Sequence, residues 1–70
     1  MVDNVKKLKV MLKHLEGHNE EHAQEIEVLA QKAKEFGKIE AYDFMLKSVE
    51  ELRLSNASLE KALDAISKEV

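Results

Sequence analysis

The chain contains no cysteine, no proline and no tryptophan, only two glycines, and one tyrosine beside two phenylalanines. Without cysteine no disulfide can staple the fold, and the redox compartment is left open. Without proline nothing interrupts a helix except Gly17 and Gly37. No apolar run approaches the ~18 uninterrupted residues of a membrane span. The N-terminal stretch MVDNVKKLKVMLKHLEG carries charges through its apolar positions, unlike the h-region of a signal peptide, and a cytoplasmic location is the default expectation. A formal net charge of −3 lacks the basic stripe of a nucleic-acid binder. Neither glycine lies in a clustered phosphate-binding loop after a strand.

What remains is a composition of 44% apolar and 36% charged residues, rich in Leu, Glu, Lys and Ala, as in long helices and coiled coils. Seventy residues make one domain, 1–70. A single core of this size rarely supplies more than about 3–5 kcal/mol, so oligomerisation is expected to supplement it.

Heptads read from Val5 give a ladder of Val5, Leu8, Leu12, Leu15, Asn19, His22, Ile26, Leu29, Ala33 and Phe36. This predicts a first helix over about 3–36, with Asp3 as its cap and Lys32 and Lys34 in its last turn. A second ladder, Tyr42, Met45, Val49, Leu52, Asn56, Leu59, Leu63, Ile66 and Val70, predicts a helix over about 38–68. The two ladders are out of phase, since Ala33 and Tyr42 are nine residues apart where a continuous heptad needs seven. Gly37 can take the left-handed conformation that closes a helix, so the phase break predicts a turn there. The fold class expected is all-α, an antiparallel two-helix hairpin of coiled-coil type. The alternative is an unbroken rod, because no strong N-cap precedes the second helix.

Folding back at residue 37 pairs positions whose numbers sum to 74 or 75: Ala33 with Tyr42, Ile26 with Val49, Leu12 with Leu63. The middle turns polar, with Asn19 opposite Asn56 and His22 opposite Leu52. A neutral His22 held there would make stability fall on acidification. Met11, Ala23, Ala30, Ile39 and Leu46 widen the apolar stripes beyond a two-stranded seam. A wider stripe needs a further neighbour, and a four-helix bundle formed by a homodimer is the expected answer. Lys6, Lys7, Lys9 and Lys13 are expected to pair across the hairpin with Glu60, Asp64 and Glu69 rather than to touch a membrane. Gly17 costs about 1 kcal/mol inside a helix, and a close helix approach is the reason considered for it.

All three histidines, His14, His18 and His22, recur at intervals of four in the first helix, with Glu21 and Glu25 on the same ridge. Histidines at i and i+4 are a usual way for one helix to offer a metal two ligands, and carboxylates suit the same ions. Between Lys13 and Lys32 the stretch is acidic, through Glu16, Glu20, Glu21, Glu25 and Glu27. His18, His22 and Glu25 form the leading candidate set for zinc or nickel, with His14 and Glu21 as further ligands. The competing reading is a polar layer that sets register without any ligand.

The run HxxxHNxEHAxE with an Ala-rich continuation resembles a group of short, uncharacterised helical-hairpin proteins of anaerobic archaea and bacteria. The resemblance implies a single-domain hairpin and no particular activity. Bundle proteins with di-iron sites are a looser likeness, since the second helix offers neither His nor Glu-x-x-His. The function expected is a small self-associating bundle with a divalent-metal site for binding, storage or sensing. The alternative is a structural or adaptor module with a protein partner. No nucleophile is evident and the chain is too short to enclose a substrate, so no enzyme is expected.

Overall fold

A computed structural model describes residues 2–68; Glu69 and Val70, which entered the expectations above, lie outside them. Helix α1 spans Val2–Glu35 and helix α2 spans Ile39–Lys68. They lie antiparallel in a slab 54 × 15 × 9 Å. The hairpin is therefore the fold, and the continuous rod is not. Asp3, expected as the cap, falls inside α1.

The turn is built by its backbone. Gly37 adopts φ +76°, where only glycine avoids a clash between Cβ and the carbonyl. Its N–H donates to the carbonyl of Lys34 at 3.0 Å, and Lys38 N–H donates to that of Ala33 at 2.8 Å. This pair of bonds is the Schellman closure, which satisfies carbonyls that the ending helix would otherwise leave open. Lys38 then opens α2 by accepting from Tyr42 N–H at 3.0 Å. Glu40 sits in the first turn of α2, where the helix dipole favours an anion. Across the turn the Lys34 ammonium lies 5.2 Å from the centre of the Tyr42 ring.

The α2 ladder is as expected. Val49 and Leu63 are buried, and Tyr42, Met45, Leu52, Asn56, Leu59 and Ile66 are half-buried. The α1 ladder differs at every second rung. Leu12, Asn19, Ile26 and Ala33 face α2 as expected, but the rungs between them are Glu16, Ala23 and Ala30 rather than Leu15, His22 and Leu29. Ala23 and Ala30 are completely buried, while Leu8, Leu15 and Leu29 are about half exposed. The expectation that His22 lies between the two helices of the hairpin is thus corrected.

The physical reason is azimuth. Both wings of the α1 stripe are apolar, but one neighbour can cover only one of them. Small Ala23 and Ala30 let α2 approach, and that rotation brings Glu20 and Glu27 alongside Arg53. Gly17 needs another explanation than close approach: it is exposed, and a Cβ added there would meet nothing within 4 Å.

Candidate histidine ridge and apolar face

The middle of the hairpin is tied by polar bonds that the layer pairing anticipated. Asn19 Nδ2 donates to Asn56 Oδ1 at 2.9 Å, and Asn56 Nδ2 donates to the backbone carbonyl of Glu16 at 2.9 Å. Beside them Glu16 Oε1 is cut off from solvent without a hydrogen-bond partner. Burial pushes the Glu16 carboxyl above its ordinary value, the neighbouring Glu60 carboxyl adds to the rise and Asp64 contributes repulsion, against the opposing charge of Lys13. Of the expected lysine pairings, Lys13 stands 3.9 Å from Glu60.

The histidines all lie on the exposed side of α1. His14 Nε2 and His18 Nε2 are 2.9 Å apart, with their rings edge to face at 4.4 Å between centres. At that distance both nitrogens cannot carry hydrogen, so at least one presents a lone pair to the space between them. His22 stacks on His18 at 6.3 Å and leans toward Glu25, Nδ1 to Oε2 being 3.9 Å. Glu21 is exposed on the same helix. The structure therefore brings the Nε2 atoms of His14 and His18 together and leaves His18, His22 and Glu25 as neighbours that do not converge on one point. Among the described residues no three His, Asp or Glu side chains gather in a way that could hold an ion.

Two residues of consequence were not singled out from the sequence. Arg53 Nη2 donates to Glu20 Oε1 at 3.1 Å and to Glu27 Oε1 at 2.9 Å, spanning two turns of α1. The bonds to Arg53 hold the Glu20 carboxyl below its ordinary value and those to Glu20 and Glu27 raise the guanidinium. The signal available was composition, since Arg53 is the single arginine of the chain. Glu16 carried a signal too, at a position four residues after Leu12 and three before Asn19.

These ion pairs identify one broad face of the slab, where Lys13, Glu20 and Glu27 meet Arg53 and Glu60. A shallow groove on this face is floored by Val49, Leu46 and Leu54 and rimmed by Glu27, Glu50 and Arg53. The opposite flanks of the two helices form the other broad face. There α1 presents Leu8, Leu15, His22, Leu29 and Phe36, each seven residues from the last, and α2 presents Ala41, Ser48, Ser55 and Ala62 at the same interval. None of the nine carries a carboxylate, an ammonium or a guanidinium. Leu8, Leu15, Leu29 and Phe36 are 47, 49, 52 and 76% exposed. Leu8, Leu15, Leu29 and Phe36 thus leave an apolar row exposed along α1, with polar His22, Ser48 and Ser55 near its middle. No helix among the described residues is long and apolar enough to cross a membrane.

Comparison with known proteins finds one family over most of the chain: residues 8–66 match a domain of unknown function, DUF8180. No curated protein and no solved structure matches.

Proposed function

We propose that this chain, which belongs to the DUF8180 family, is a self-associating helical module in which two hairpins dock their uncharged faces to form a four-helix bundle. The observation that carries this reading is the symmetry of that face. About the level of His22, Leu15 is the counterpart of Leu29 and Leu8 of Phe36 on α1; about the midpoint between Ser48 and Ser55, Ala41 is the counterpart of Ala62 on α2. Asn19 bonded to Asn56 sets which residues of the two helices share a level. On that scale His22 lies level with residue 53, and the two centres coincide to within about one and a half residues, ~2.3 Å of helix rise. A twofold axis at this level places like on like: Leu15 against Leu29 of the partner subunit, Ser48 against Ser55 of the partner subunit, and His22 beside its own mate. Such isologous contact is the commonest way for soluble chains to pair.

Size supports the same reading. A face 54 Å long and 15 Å wide covers on the order of 800 Å² per partner, the area of a standard stable interface. The isolated hairpin, with Val49 and Leu63 as its only deeply buried large apolar side chains among the described residues, has little core of its own. The role is that of an assembly module; the face opposite carries the charges of Arg53 and its two glutamates.

Sedimentation equilibrium at micromolar concentration is expected to give a dimer, and the Leu15→Glu, Leu29→Glu double variant a monomer. Because the chain lacks cysteine, cross-linking can read the axis directly. His22→Cys is expected to form a disulfide dimer on oxidation, since only residues near the axis bring two Cα atoms within about 7 Å. Leu15→Cys mixed with Leu29→Cys should cross-link and Leu29→Cys alone should not. A monomeric wild type ends the proposal and leaves the face to a different protein partner; a dimer in which Leu29→Cys cross-links as readily as His22→Cys refutes the axis.

A further inference from the structure

The geometry points to a two-histidine chelate for a divalent transition metal at His14 and His18, on the solvent side of α1 and independent of whether the chain dimerises. His14 lies on the side of α1 away from α2 and His18 between it and the apolar face, both exposed, so an ion can reach them in the free hairpin. Nitrogen ligands sit about 2.0–2.1 Å from such an ion, and two of them 2.9 Å apart subtend about 90° at it. That angle belongs to neighbouring positions of a square-planar or octahedral shell, the geometries of copper(II) and nickel(II), whereas the tetrahedral angle of zinc requires the imidazoles to part by a few tenths of an ångström. The order expected is therefore copper(II) first, then nickel(II), with zinc weakest, a sequence in which zinc falls below nickel through geometry.

The surroundings agree with a cation. Glu16, Glu20, Glu21, Glu25 and Glu27 crowd this part of α1, and no lysine or arginine of α1 lies between Lys13 and Lys32. Arg53, which reaches over from α2, is committed to Glu20 and Glu27 on the opposite broad face. Water completes the shell, because among the described residues no third His, Asp or Glu converges with the pair. His22 is outside the chelate: its ring stacks on His18 from 6.3 Å and its Nδ1 faces Glu25. The assignment thus moves the pair one helical turn toward the N-terminus from His18 and His22.

Calorimetric titration of the untagged full chain with copper(II), nickel(II) and zinc(II) tests this, alongside His14→Ala, His18→Ala and His22→Ala. Binding of one copper(II) per chain is expected, with an electron paramagnetic resonance spectrum showing two coupled nitrogens. His14→Ala and His18→Ala should each weaken binding by at least the ~10-fold that even a supporting partner of a metal ligand commands. His22→Ala should leave it within about threefold, less than the 1.4 kcal/mol of a tenfold change. Loss in His22→Ala equal to that in His18→Ala, with His14→Ala unaffected, overturns the pair in favour of His18 and His22. Equal binding by all four proteins, or none by the wild type, overturns the chelate. Circular dichroism of each variant separates loss of ligand from loss of helix.

Discussion

Asn19 Nδ2 donates to Asn56 Oδ1 at 2.9 Å, and Asn56 Nδ2 in turn donates to the Glu16 carbonyl. This half-buried contact joins the two helices at mid-length, flanked by Ile26 and Leu52 on one side and Leu12 and Leu63 on the other. An unmatched amide at this level costs desolvation without return, so any sliding of α2 along α1 breaks it.

Asn56→Ala strands Asn19 Nδ2, removes the second bond of the Glu16 carbonyl, and is expected to cost about 1–2 kcal/mol, read by urea denaturation. The Asn19→Leu, Asn56→Leu double variant removes both polar groups together. It should be at least as stable as the wild type but less uniform in register, as when polar core residues are removed from coiled coils. A double variant that is both less stable and singly registered in its NMR spectrum would show that the amides contribute energy rather than alignment.

The two glycines should respond to alanine with opposite signs. At both, an added Cβ meets nothing within 4 Å, so packing does not enter. Gly37→Ala forces a side chain into φ +76° and is expected to cost about 1–2 kcal/mol. Gly17→Ala replaces an exposed glycine in a helix interior and is expected to add about 1 kcal/mol. Thermal melts of the two variants against the wild type check both signs.

Glu16 should make the hairpin less stable as pH rises. Its carboxyl is raised in the folded chain by burial and then by Glu60, so the folded state holds that proton more tightly than the unfolded one. The stabilisation is complete below the ordinary value of 4.5 and is lost as pH climbs through the raised one. Glu20 works in reverse, its stabilisation through Arg53 being lost as pH falls through its depressed value. Glu16→Gln isolates the first effect: the variant is expected to exceed the wild type in stability at pH 7, with the advantage shrinking as the pH is lowered toward 4. A constant difference across that range would place the Glu16 carboxylate in solvent.

Much of this was readable before any coordinates. The glycine at the phase break predicted two helices and a turn at Gly37, because heptads out of step cannot bury one stripe along a straight rod. The missing N-cap of α2 kept an unbroken rod as the alternative, which the tertiary structure removed. The α2 ladder and the pairing of Asn19 with Asn56 follow from the same arithmetic, since the turn fixes the sum of facing positions. Periodicity locates an apolar sector on a helix but not the direction in which that sector points. On α1 the sector runs from Leu15 and Leu29 through Ile26 to Ala23 and Ala30, and a single partner covers only part of it. Tertiary packing decided that α2 takes the alanine side, where the backbones come close and Arg53 reaches Glu20 and Glu27. That rotation carried Glu16 into the seam, turned His22 outward and left the leucine row bare. Which histidines meet was likewise settled by side-chain rotamers: intervals of four allow His14 with His18 and His18 with His22 equally, and His18 can turn its Nε2 toward only one of them.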